Sequence, residues 1–144
     1  MKSTEQKIAI YLGYLGLIPF ILSLIMAVYF EQFKETSEQA FIVYSIVIIS
    51  FMSGIHWGIA INSDDKRRTK FIVSTIPPVL VWFIFLCFPS YFLVITLGFV
   101  HLAGLRVDRM IFEHLDMQSS YLRMRIRLAS IVAGLHFLLA VSIT

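Results

Sequence analysis

The chain has 144 residues, 58% of them hydrophobic and 15% charged, with a formal net charge of +3. An ordinary soluble domain is only about half apolar, so this composition, with its strongly positive mean hydropathy, identifies a membrane protein and excludes a soluble enzyme. The polar stretches between the apolar runs are all shorter than about 25 residues, too short for a separate domain, and the modest positive charge gives no nucleic-acid footprint.

The first apolar run covers Ile8 to about Phe30, and at 1.5 Å per residue it reaches roughly 34 Å, enough to cross a hydrocarbon core. As a cleaved secretory signal it would be far too long, since such cores use about 7 to 15 residues, and no small-x-small cleavage site follows. The second run extends from about Gln39 to Asn62. The third, Phe71 to Phe88, is separated from the fourth, Tyr91 to about Val107, only by "PS", which suits a tight turn between antiparallel helices. Pro77 and Pro78 kink the third run, with Ser74 and Thr75 placed to bond the carbonyls the prolines leave free. The fifth runs from about Ile126 to Ile143. The expected architecture is an all-α bundle of five transmembrane helices, forming one domain over residues 1–144. A re-entrant third and fourth segment would demand irregular backbone buried by protein, and their Leu/Phe/Val-rich faces favour two full spans.

Five spans put the amino terminus, the Ser63–Lys70 loop and the Asp108–Arg125 loop on one side. They carry Lys2, Lys7, Lys66, Arg67, Arg68, Lys70, Arg109, Arg123 and Arg125, with Arg106 and Arg127 at adjoining helix ends, against Lys34 alone on the other side. This asymmetry predicts a cytoplasmic amino terminus and an outward carboxyl terminus in a cell inner membrane, with the basic fringe near anionic lipid headgroups.

Chemistry-bearing motifs are sparse. Cys87 is the single cysteine, so it makes neither an internal disulfide nor a thiolate metal site and reads as a small core residue. There is no Gly-rich phosphate loop, no HExxH and no CxxC, so no catalytic residues and no metal ligands are assigned.

The informative stretch is "SFMSGIHWGIAIN" in the second span. Gly54 and Gly58, four apart, share one face and form the small-xxx-small pattern that lets helices approach in lipid. His56 points about 200° away from Gly54, so if the groove packs against one neighbour the histidine requires a second, which makes this span central. Ser45 and Ser53 lie within about 80° of His56 and extend a thin polar stripe. On the fourth span His101 and Asp108 share a face, flanked by Gly98 and Gly104. Counted from Asn62 and Asp108, His56 and His101 each fall about 10 Å below the inner boundary, so a shared site is expected at matching depth. Each ring could equally hydrogen-bond a serine or a carbonyl on an adjacent helix. Trp57 is either an interfacial anchor or a ligand-stacking ring, and Asp108 either pairs with Arg106 and Arg109 at a helix end or meets Arg125. His136 belongs to the fifth span and His114 to the preceding loop, "RMIFEHLDMQSSYLRMRIR", which is expected to lie on the surface with Met110, Ile111 and Leu115 dipping into the acyl boundary. Arg123, Arg125 and Arg127 then cap the inner end of the fifth helix.

"YLGYLGLIPF" in the first span, "YSIVIISFMSGIHWG" in the second, the proline after Ser74, Asp108 after the fourth span and "YLRMRIRL" before the fifth occur in that order. Together they resemble the family of small bacterial and mitochondrial membrane proteins that includes transmembrane protein 69, over nearly the whole chain. The resemblance implies attention to Gly13, Gly16, Pro19, Gly54, His56, Trp57, Gly58, Pro77, Asp108, Arg123 and Arg125, and an inner-membrane location. It is a family of unknown function and implies no reaction. Ser53 stands where the family pattern has glycine, which shortens the expected groove.

Two functional readings follow. The first is a non-enzymatic accessory or assembly factor acting through helix contacts with a membrane-protein partner or with itself. The second is a ligand-binding or redox site in the cytoplasmic leaflet, built from His56, Trp57, His101, Asp108, Arg123 and Arg125, holding a quinone or a bis-histidine haem or relaying a transported proton.

Overall fold

A computed structural model describes residues 3–112 and 118–143. Its helices are α1 (Ser3–Leu15), α2 (Ile18–Tyr29), α3 (Lys34–Ile61), α4 (Arg67–Cys87), α5 (Ser90–Phe112) and α6 (Gln118–Ser142), with a 3-10 turn at Glu31–Phe33. No strand occurs among the described residues. Among the described residues, five helical runs are long and apolar enough to cross a membrane: Thr4–Tyr29, Glu31–Ile61, Arg67–Cys87, Ser90–Phe112 and Ser120–Ser142. The five-span expectation therefore holds, and α1 and α2 together make the first span.

Each of the five spans outruns its apolar stretch at one end or both. α3 begins at Lys34, not Gln39, and α5 continues past Val107 to Phe112. Hydropathy falls at the first charge, whereas Lys, Arg, Glu and Gln are good helix formers and carry the helix onward. Met110 and Ile111 accordingly belong to α5, with Ile111 buried, and do not lie on a surface loop. Leu115 and His114 fall outside the described residues.

The break between α1 and α2 has a local cause. Pro19 lacks the N–H that would continue the helix, and Leu17 N–H turns back to Tyr14 O at 3.0 Å. The Gly16 carbonyl freed at the bend accepts the Tyr44 hydroxyl of α3 at 3.0 Å, so the kink is tied to the neighbouring helix. In α4 the two prolines are accommodated within a continuous helix. Ser74 and Thr75 both donate to Phe71 O, at 2.9 and 2.8 Å, and not to the Val73 and Ser74 carbonyls that the prolines leave without an N–H. Between α3 and α4, Lys66 adopts a left-handed backbone (φ 50°), Arg67 pairs with Asp64 at 2.9 Å, and buried Lys70 donates to the Ser63 hydroxyl.

α3 touches α2, α4 and α5, while α6 packs on α5 and closes against α1 and α2. The central place expected for the second span is thus observed. Phe20, Phe41, Val94, Leu97 and Leu139 form the middle of the core, with the Phe20 ring meeting Phe41 and Tyr44 edge-on at 5.1 and 4.8 Å. Leu22, Val47, Phe83, Phe92 and Leu138 face outward, as lipid-facing residues should.

The glycines divide sharply. A Cβ on Gly98 would stand 3.1 Å from His136 Cβ and 3.5 Å from Phe137, so glycine there sets the α5–α6 approach. A Cβ on Gly54, Gly58 or Gly104 would meet nothing from another helix within 4 Å, so the expected packing at these three is not seen among the described residues. The spacing pattern marks closeness only where a second helix arrives. Gly98→Ala should cost about 1–3 kcal/mol by overpacking, and Gly58→Ala close to none. Thermal unfolding of the two variants in detergent checks the contrast; equal midpoints would contradict it.

Candidate intramembrane polar site

Three helices converge on one carboxylate. Asp108 of α5 is completely buried; its Oδ1 accepts from His56 Nε2 of α3 at 2.7 Å and its Oδ2 from Arg125 Nε of α6 at 3.0 Å. Of the two alternatives for Asp108 the structure selects Arg125, since Arg106 and Arg109 are exposed. A buried charge requires a partner because the surroundings cannot solvate it. Here the partner arrives because α5 and α6 form an antiparallel pair, and the C-terminal end of α5 meets the N-terminal end of α6 where Asp108 and Arg125 lie, an outcome helix faces alone do not specify.

A second cluster lies further along α3. Ser45, fully buried, has its hydroxyl 2.9 Å from His101 Nε2 of α5 and 2.9 Å from His136 Nε2 of α6, while His136 Nδ1 is 2.7 Å from Val132 O. Phe20 and Phe41 lean edge-on or tilted against these rings, which are themselves 5.3 Å apart. The sequence marked Ser45 as part of the polar stripe and His136 as a ring in the fifth span. It held no sign that one hydroxyl would bridge two histidines.

The matching depth expected for His56 and His101 does not hold. His101 engages Ser45, which lies eleven residues, or about 16 Å, along α3 from His56. His56 is level with Asp108 instead. Asp108 does not mark a membrane boundary from which depth can be counted, because it lies inside α5, a full turn before its end. No hydrogen bond joins the two rings among the described residues. The Nε2 atoms a bis-histidine haem would use are committed to Asp108 and Ser45.

Two cavities flank the clusters. The larger, about 360 Å³, is lined by Leu12, Gly13, Gly16, Phe20, Phe51, Met52, His101, Tyr121, Met124 and Arg125 among others. The smaller, about 160 Å³, includes Ser53, His56, Pro77, His101, Gly104 and Arg125. His101 and Arg125 therefore stand in the wall of both. Among the described residues, every fully buried side-chain nitrogen or oxygen has a hydrogen-bond partner. His101 Nδ1, His56 Nδ1 and both Nη groups of Arg125 have no hydrogen-bond partner among the described residues; His101 and Arg125 line both cavities and His56 the smaller one.

Two expected site residues lie elsewhere. Trp57 is 45% exposed and sets its ring 4.6 Å from that of Phe71. Arg123 is exposed and donates to the Ser120 hydroxyl at 3.2 Å. Phe20 and Tyr121 join the cavity wall without any polar spacing to announce them.

Fold and site together define a multi-pass α-helical membrane protein with a paired acid and base buried between its helices. The chain belongs to the family described as protein of unknown function DUF3429, whose family model matches residues 5–141. It is 36% identical over 80 residues to transmembrane protein 69 of Xenopus tropicalis, a match covering 53% of this chain and 31% of that protein. The chain thus spans about a third of the relative's length. No solved structure matches.

Proposed function

We propose that this protein is a non-enzymatic inner-membrane factor that holds a small amphiphilic molecule against the Arg125 guanidinium. The observation that carries this reading is the orientation of Arg125. Its Nε is spent on Asp108, its Nη groups have no partner among the described residues, and the side chain lines two cavities. Unsatisfied N–H groups at membrane depth are costly, and the oxygen of a bound molecule would satisfy them. The larger cavity, at about 360 Å³, lies within the range of small-molecule sites. The excess of lysine and arginine in the short loops supports a cytoplasmic amino terminus, which puts Arg125 in the inner leaflet.

A partner helix is a second reading, favoured by the bare surroundings of Gly54 and Gly58 on the outer face of α3. Under it the protein serves as an accessory or assembly factor, or associates with a second copy of itself.

Native mass spectrometry of the chain purified from its own membranes tests the first reading. One amphiphile per chain is expected in the wild type, and Arg125→Lys, which keeps the charge but loses the fork, should shed it at least tenfold more readily. A wild-type protein with no retained small molecule would contradict the proposal, and a stoichiometric partner protein in its place would support the second reading.

A further inference from the structure

The hydrogen-bond chain through Ser45 has a direction that can be worked out by counting protons. Val132 O can only accept, so His136 carries its proton on Nδ1. Among the described residues no carboxylate bonds to either ring of this cluster, and an unpaired imidazolium between apolar helices would go uncompensated, so both rings are taken as neutral. His136 Nε2 is then a bare acceptor and takes the single proton of the Ser45 hydroxyl. With that proton committed, Ser45 Oγ can only accept from His101, which places the His101 proton on Nε2. His101 Nδ1 is left as a lone pair. It has no partner among the described residues, the residue is 7% exposed, and His101 lines both cavities together with Arg125.

Within the binding reading on which this rests, we infer that the occupant is a quinol: an aromatic amphiphile whose hydroxyl donates to His101 Nδ1 while another of its oxygens accepts from Arg125. The wall supplies a strict acceptor and a strict donor, and a hydroquinone ring offers both complements. The oxidised quinone has only acceptor oxygens and would leave His101 facing another lone pair. Phe20, Phe51, Met52 and Met124 supply apolar and sulfur contacts suited to a flat ring. Val132 and Ser45 thus act at a distance, as positioning groups that hold the His101 tautomer. No electron transfer is implied; the inference concerns which redox form is held.

The test titrates the full chain in nanodiscs with a decyl-tailed benzoquinol and with the matching benzoquinone, anaerobically. The quinol should bind at least tenfold more tightly. In Ser45→Ala the His101 proton is free to move to Nδ1, so the preference should shrink to within about threefold. Nitrogen-15 spectra of histidine-labelled wild type should show one ring with a bare Nδ1 that changes on adding quinol and not on adding quinone, a readout that stands even if the variant does not fold. Equal binding of the two forms in the wild type, or a tenfold preference surviving in a folded Ser45→Ala, would overturn the inference. Failure of both probes while another amphiphile co-purifies would overturn the quinol assignment alone; failure of both with nothing co-purified would overturn the binding reading as well.

Discussion

Asp108→Ala should lower the stability of the bundle by about 3–5 kcal/mol, the usual loss when one member of a buried ion pair is removed and its partner stays behind. The carboxylate is wholly buried and receives hydrogen bonds from two other helices, so its loss strands the Arg125 guanidinium and unties α3 and α6 from α5 together. Asp108→Asn keeps the shape and one acceptor oxygen, and should fall between the wild type and alanine. Removing the whole cluster as His56→Leu, Asp108→Leu and Arg125→Met should restore much of the loss, because no charge is left unmatched, although the molecule held against Arg125 would no longer bind. Unfolding of the variants in detergent measures the first effect. A D108A midpoint equal to the wild type would mean that the pairings at 2.7 and 3.0 Å are absent in the membrane.

His136→Ala is the second substitution expected to have a large effect, of about 3 kcal/mol or more. The ring is completely buried, between Phe20 and Phe41, and truncation leaves a cavity of the kind that costs several kcal/mol for a large side chain. It also removes the acceptor of the Ser45 proton, which lets the serine reorient toward His101. Stability and His101 tautomer should therefore change together. Thermal unfolding and the nitrogen-15 spectrum of the same sample would show whether they do; a loss of stability with the His101 signal unmoved would separate packing from the hydrogen-bond chain.

Much of this molecule was legible in its residues. Runs of Ile, Leu, Val and Phe long enough to cross a bilayer marked five spans, because lipid admits no other residue pattern of that length. The face of α3 that carries Ser45, Ser53 and His56 was visible as well, since 100° per residue fixes which side chains share a side. What helical geometry does not contain is the axial offset between helices. That offset decides that His56 meets Asp108 and that His101 meets Ser45, and a reading anchored on charged residues as boundaries set it wrongly. The glycines failed for a related reason. Gly54, Gly58 and Gly98 look alike in sequence, yet only Gly98 is met by a neighbour, because α6 packs along α5 while the Gly54–Gly58 face of α3 is turned outward. Arg125 was the more successful case: its position two residues from both Arg123 and Arg127 turned it inward while they remained exposed.

The proposed binding requires Arg125 to stand inside the bundle, clamped by Asp108, with its remaining N–H groups against an occupied space. An experimental density map of the chain in a nanodisc of its native lipids tests this directly. The account predicts the guanidinium within hydrogen-bond reach of Asp108 and non-protein density beside its Nη atoms and His101. Arg125 extended to the headgroups, with Asp108 unpaired or the cavity closed by side chains, would contradict it.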